Sequence, residues 1–216
     1  MLAIIQARSS SKRFPKKIFR KIKKMTLIEM VIKRLKKVKK IKKIIVATSN
    51  KPSDDKLANY LKKKKINLYR GKLNDVTDRL YNASVGNNYF IRISGDSPLI
   101  DPNLIDNMIK IFKKKKIKKG FDILTNTLPR TFPKGQSVEI VKRNILKLNH
   151  KKMSQKDKEH VTRFFYRHKN NFSIKNVKNK KKIFRTKFAI DTKKDLQNLI
   201  KFVKNKNINN FTIYKI

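Results

Sequence analysis

The feature that most limits what this chain can become is a series of short apolar runs, each giving way to a stretch with helical spacing. Leu2-Ala3-Ile4-Ile5 comes first, then Ile44-Ile45-Val46-Ala47-Thr48, then Asn67-Leu68-Tyr69-Arg70-Gly71, then Tyr89-Phe90-Ile91-Arg92-Ile93. Short apolar runs bounded by polar residues read as buried strands. Between the first two, Leu27, Ile28, Val31, Ile32, Leu35 and Val38 recur at helical spacing. Thr26-Leu27-Ile28-Glu29 has the capping-box pattern at their start, worth roughly 1 kcal/mol at the cap. Ser53 or Asp54 can cap a second helix reaching about Leu61, and residues 75 to 85 read as a third. Strand, helix, strand, helix, strand in this order predicts parallel βαβ units in a doubly wound sheet. The fold class is α/β: a single Rossmann-like domain over residues 1–216, with a mostly parallel central sheet and helices on both faces.

The second half is less regular. Pro102 sits well in the first turn of a helix reaching about Phe112. Phe121 to Leu124 and Ser137 to Val141 are candidate strands, with a proline-containing loop between them. Gln155 to Lys169 reads as one helix carrying Val161, Phe164 and Phe165 to the core. Phe184 to Ile190 reads as a strand ending at Asp191, after which a helix has Leu196, Leu199, Ile200 and Val203 inside.

Open α/β sheets bind ligands at the carboxyl ends of their strands. The first such end opens into Gln6 to Lys17, which is small and polar at first and then carries Lys12, Arg13, Lys16 and Lys17. Many backbone N–H groups and several cations suit such a loop to a polyphosphate; the plainer reading is an ordinary solvated basic loop. Asp96 ends a later strand, between Gly95 and Ser97-Pro98, and Asp191 repeats the arrangement before another helix. Taken singly, Asp96 reads as a turn residue bonding its own backbone and Asp191 as a helix N-cap. Taken with the basic loop, two strand-terminal carboxylates are what a Mg²⁺-nucleotide needs, because the metal takes one or two carboxylates plus phosphate oxygens. Asp78 and Arg79 read equally as a pair at the site or as a solvated helix couple.

The net charge of +45, from 59 lysines and arginines against 14 acids, raises nucleic acid as a partner. The cations are spread over the whole chain, however, at helix ends and in turns, whereas a nucleic-acid footprint clusters with aromatics interleaved. Scarce Gly (5) and Pro (6) beside abundant Lys, Asn and Ile point to A/T-rich codon bias. The expectation is salt-sensitive adhesion to polyanions but no specific nucleic-acid partner. With no cysteine there is neither a disulfide framework nor a thiolate site. No run approaches the ~20 apolar residues of a membrane span, and no signal-peptide core is present, so a cytoplasmic protein without a membrane partner is expected.

Over nearly its whole length the chain resembles the cytidylyltransferase family of the spore coat polysaccharide biosynthesis protein F type, related to acylneuraminate and 3-deoxy-manno-octulosonate cytidylyltransferases. The resemblance rests on Ile4-Ile5-Gln6-Ala7-Arg8, Ser11-Lys12-Arg13-Phe14-Pro15-Lys16-Lys17, Tyr69-Arg70-Gly71 and Asp75-Val76-Thr77-Asp78-Arg79. It continues through Arg92-Ile93-Ser94-Gly95-Asp96-Ser97-Pro98-Leu99-Ile100-Asp101, Asn126-Thr127, Arg130-Thr131-Phe132-Pro133, Val138-Glu139, Glu159-His160-Val161-Thr162 and Ile190-Asp191-Thr192. It implies a nucleotide-diphospho-sugar transferase fold, with CTP as co-substrate, Mg²⁺ as cofactor and an acidic sugar as acceptor. It further implies that Arg8, Lys12, Arg13 and Lys17 hold the triphosphate and that Asp96 and Asp191 hold Mg²⁺. Backbone groups around Ala7 and Ser9 would meet the cytidine, and Asn126, Arg130, Gln136, Glu139 and His160 the sugar. His160 also reads as a catalytic acid or base, or as a structural residue at a helix start. The family usually has glycine where this chain has Ser10, often glycine at Lys16 and often Asp at Ser137. Its members are often dimers, so a homodimer stays open. Two other readings also remain open: a nucleotidyltransferase for another base or a sugar phosphate, and a decayed site on a polyanion-binding protein.

Overall fold

The computed structural model describes residues 1–11, 13–114, 120–179, 186–208 and 210–213. In chain order the elements are β1 (Leu2–Gln6), a small hairpin of β2 (Lys21–Ile22) and β3 (Met25–Thr26), α1 (Leu27–Lys36), β4 (Lys43–Ser49), α2 (Asp55–Lys63), β5 (Leu68–Gly71), α3 (Val76–Ala83) and β6 (Tyr89–Ser94). There follow α4 (Pro102–Phe112), β7 (Ile123–Thr125), β8 (Glu139–Lys142), α5 (Arg143–Asn149), α6 (Gln155–Glu159), α7 (Arg163–Arg167), β9 (Ile174–Asn176) and α8 (Lys193–Val203). Among the described residues one seven-stranded sheet forms, in the order β5-β4-β1-β6-β8-β7-β9. The expected capping box is present: Thr26 accepts from the Glu29 amide while the Glu29 carboxylate accepts from Thr26.

The period of two along β1 sorts its side chains cleanly. Ala3 and Ile5 pack with Val31 and Leu35 of α1, Leu57 of α2 and Leu104 of α4, while Leu2 and Ile4 pack with Val76 and Leu80 of α3, Leu146 of α5 and Phe165 of α7. The sheet is thus covered on both faces. A third cluster, with Phe14, Leu27, Leu99, Phe188, Ile190 and Leu199, ties α8 to the hairpin and to the start of α1.

β1 pairs in parallel with both β4 and β6, and β4 with β5. Gln6 lies opposite Ser94, so the loops leaving β1 and β6 emerge side by side. β8 runs antiparallel to both its neighbours, making the sheet mixed rather than uniformly parallel, and it brings Glu139 opposite Arg92 near the same rim.

Three expectations need correction. The single helix over 155–169 is broken: α6 stops at Glu159 and α7 starts at Arg163, with His160 at φ −107°, ψ 60° in the gap. The segment before Asp191 is not a strand over residues 186–190, and Phe184 and Arg185 lie outside the described residues. Its amides reach two separate loops instead of one ladder, Phe188 donating to the Lys134 carbonyl (2.7 Å) and Ile190 to that of Asp96 (2.9 Å). Ile200 is 42% exposed, because Leu196, Leu199 and Val203 already fill the inward face of α8.

Candidate functional site

β1 is buried along its length and delivers Ala7 and Arg8 to the sheet's carboxyl rim. The loop that follows closes on itself, with the Lys16 amide donating to the Ser9 carbonyl (2.9 Å). Lys16 sits in the left-handed region, φ 55°, the conformation that glycine adopts most easily. After that turn, Lys17 reaches Asp96 and the Ile190 carbonyl. β6 delivers Ser94, Gly95 and Asp96 alongside. A Cβ on Gly95 would stand 2.8 Å from the Ala7 Cβ, so glycine here lets the two rim loops approach.

These loops enclose a cavity of about 400 Å³ whose lining includes Ala7, Arg8, Arg13, Lys17, Asp96 and Asp191. The Lys17 ammonium is 2.9 Å from Asp96 Oδ2, 2.8 Å from the Ile190 carbonyl and 3.7 Å from Asp191 Oδ1. Asp96 Oδ1 accepts from the hydroxyls of Ser94 (2.8 Å) and Ser97 (3.3 Å), not from its own backbone. Nor does Asp191 cap α8: Thr192 does, in a capping box with Asp195. Asp191 instead faces Arg13 (3.0 Å) and Lys187 (3.0 Å). Burial works to raise the pKa of Asp191, but the Lys187 hydrogen bond and the charges of Lys17, Lys187 and Arg13 hold it below its ordinary value. Arg8 pairs at the surface with Glu159 (3.3 Å). Lys12 lies outside the described residues.

Ser9 is placed differently from expectation. Its side chain and amide turn away from the cavity, both onto Asp54 (2.7 and 2.6 Å). Arg79 and Asp78 form neither of the arrangements considered for them. Arg79 is 1% exposed, lines the cavity and donates to the carbonyls of Lys72 (2.7 Å) and Leu73, while Asp78 accepts from Asn82 (3.0 Å). Burial lowers the Arg79 pKa, an effect opposed by the charge of Asp54.

A second cavity, about 480 Å³, adjoins the first, and His160 lines both. It carries Arg92, Arg130, Arg163, Arg167, Glu139 and Tyr166. Glu139 pairs with Arg92 and accepts from the Tyr166 hydroxyl. Burial and the Glu139 charge push that hydroxyl's pKa up. Arg92 also donates to Gln6 Oε1 (2.9 and 3.1 Å), linking the walls of the two cavities. Asn126 and Gln136, expected on the sugar side, line neither cavity. Both are fully buried, and their amides brace the rim: Asn126 accepts from the Val138 amide (2.9 Å) and donates to the Gln136 carbonyl (2.7 Å), while Gln136 spans the Asp101 amide and the Leu99 carbonyl. Arg130 reaches the cavity and donates to Ser137 (3.0 Å).

Sequence reading missed Lys187, whose only signal is its place four residues before Asp191. It also missed Arg163, Tyr166 and Arg167, which lie on the polar side of a stretch noted only for its buried phenylalanines.

The mixed sheet with helices on both faces is a Rossmann-like nucleotidyltransferase fold. The fold matches a cytidylyltransferase from Leptospira borgpetersenii serovar Hardjo-bovis with a TM-score of 0.84, at 27% identity over 99% of each chain. The sequence matches the Cytidylyltransferase family over residues 2–215, and the chain belongs to that family. It is 32% identical to an uncharacterized protein of Methanocaldococcus jannaschii, over all of this chain and 88% of that one. It is 29% identical to the spore coat polysaccharide biosynthesis protein SpsF of Bacillus subtilis, over 92% of this chain and 84% of that one.

Proposed function

We propose that the protein transfers CMP from CTP to a hydroxyl of an acidic sugar and releases pyrophosphate, supplying an activated sugar for cell-surface polysaccharide. The observation that carries this reading is the convergence of Lys17 with Asp96 and Asp191 in a cavity that meets a second, arginine-lined cavity at His160. The family supports CTP as donor, and the name of the B. subtilis relative supports a polysaccharide product. No helix among the described residues is long and apolar enough to cross a membrane.

In the reaction the acceptor hydroxyl oxygen bonds the α-phosphorus as the bond to the pyrophosphate oxygen breaks, and the hydroxyl proton leaves to base or solvent. Such transfers depend mostly on positioning and charge neutralisation. On this reading Arg8, Arg13 and Lys17, which line the first cavity, would hold the triphosphate; Lys12, assigned the same role, lies outside the described residues. Arg130 and its neighbouring arginines suit a sugar carboxylate, since guanidinium recognises carboxylate bidentately. His160, which lines both cavities, is on this reading the candidate to take the acceptor's proton.

Among the described residues no cluster of three or more acidic or histidine side chains could hold a metal alone. Asp96 and Asp191, which share the Lys17 ammonium, are the proposed Mg²⁺ ligands, because the metal needs only one or two carboxylates when phosphate oxygens complete its shell. Bound there, Mg²⁺ would neutralise charge near the α-phosphate. The test is a pyrophosphate-release screen of the four nucleoside triphosphates against a panel of acidic sugars. CTP with one acidic sugar should stand out, whereas release with another base or with neutral sugars alone would overturn the reading.

A further inference from the structure

The charge of Asp54 needs a reason. It is fully buried at the exit of β4, and a buried carboxylate costs several kcal/mol to desolvate unless it is compensated. Its charge acts on buried Arg79 without a salt bridge between them among the described residues, and although it stands at the N-cap position of α2 its side chain makes no capping bond. Its oxygens are turned the other way. Oδ1 accepts from the Ser9 amide (2.6 Å) and lies 2.7 Å from the Ser9 hydroxyl, which is also 2.6 Å from the Ser53 carbonyl; Oδ2 accepts from the Ser49 hydroxyl. Together these donors outweigh burial and keep its pKa lowered.

Ser9 is the point at which the rim loop closes, through its carbonyl to the Lys16 amide. Residues on both sides of that closure line the first cavity: Ala7 and Arg8 before it, Arg13 inside it, Lys17 after it. Ser9 itself does not. Asp54 is thus hydrogen-bonded to the cavity loop through Ser9, while its charge also acts on Arg79 in the cavity wall. An ionised carboxylate suits this place because it only accepts, and the Ser9 amide can only donate.

On the reading that this cavity takes a nucleoside triphosphate, we infer that Asp54 is a positioning residue: it clamps the neck of the loop at Ser9 and so sets the spacing of Arg8, Arg13 and Lys17. Removing the acceptor leaves a buried amide unpaired and frees the neck, while asparagine keeps an acceptor for it.

The experiment compares Asp54→Ala and Asp54→Asn by amide hydrogen exchange and by titration with CTP. In Asp54→Ala, exchange over residues 7–17 should rise at least about tenfold while β1 stays within about twofold, because local opening is read separately from global unfolding. CTP affinity should fall about tenfold, and Asp54→Asn should restore both to within about threefold of wild type. Unchanged loop exchange, loop and β1 accelerating together, or Asp54→Asn behaving like Asp54→Ala would each overturn the clamp. If Asp54→Ala does not fold, Ser9→Ala, which loses only the hydroxyl, should raise loop exchange about threefold, and no change there overturns it equally. Failure of the wild type to bind CTP would count against the nucleotide reading, and the exchange comparison would still decide the clamp.

Discussion

The Lys17 ammonium lies between two carboxylates that are 95 positions apart in sequence, 2.9 Å from Asp96 and 3.7 Å from Asp191, with its side chain only 11% exposed. One cation thereby joins the loops leaving β1 and β6 to the segment entering α8. On the proposed function, replacing it with methionine should remove a charge that would hold the triphosphate. The expected loss in kcat/KM for CTP is on the order of 10²–10³, the range for one electrostatic contact in a preorganised site. Lys17→Arg should recover only part of it, because a planar fork does not substitute for a compact ammonium. Steady-state kinetics on the three proteins check this.

Arg130 lines the second cavity and touches Ser137 at its exposed edge. Arg130→Ala should raise KM for the acidic sugar about tenfold, the effect of losing one charge-assisted hydrogen bond, and leave KM for CTP unchanged. Initial rates with each substrate varied in turn separate the two.

Gly135 has φ +95°, and a Cβ there would meet the Ala189 nitrogen and the Phe188 carbonyl carbon at 2.5 Å each. Those contacts are backbone, so no side chain can move aside. Gly135→Ala should destabilise the fold by roughly 3 kcal/mol or more through overpacking and strain, seen as a lower midpoint in denaturant. It should also weaken activity, since the displaced segment leads directly to Asp191.

Asp195 accepts from Lys187 (2.8 Å) and from the amides of Asp191 and Thr192 (2.9 Å each), and these partners outweigh burial to hold its pKa at about 2. Glu29, bonded by Tyr60, Thr26 and Lys64 against the same opposing effect of burial, is also held at about 2. Both values lie below those of an unfolded chain, so the stability they add is complete above the ordinary carboxylate range. It is lost as pH falls through that range toward about 2. Thermal unfolding across this window should show that loss, and Asp195→Asn should flatten the acid limb.

The parallel half of the sheet was legible because each strand is a short apolar run and each helix on it has a regular stripe; Thr26 with Glu29 even marks where α1 begins. The rim itself was legible in part: Lys17 lies in the loop that leaves β1 and Asp96 just beyond the end of β6, whereas the strand expected before Asp191 does not form over residues 186–190. What could not be read was which rim residues face inward. Ser9, Asn126 and Gln136 look like ligand-binding residues in sequence, but their hydrogen-bonding groups are taken up by Asp54, Val138, Asp101 and Leu99. The break at His160 was hidden because Val161, Phe164 and Phe165 keep helical spacing across it. Arg79 was undecidable because a buried arginine bonded to loop carbonyls leaves no periodic trace.

The central claim is that the rim formed by Lys17, Asp96 and Asp191 handles a triphosphate during transfer to a sugar. The most direct measurement is pyrophosphate release from CTP with the acidic sugar found by the screen, in wild type and in Asp96→Asn. The account predicts release that requires both substrates and falls by roughly 10²–10³ in the variant with the fold unchanged. Near-normal turnover in Asp96→Asn would contradict it.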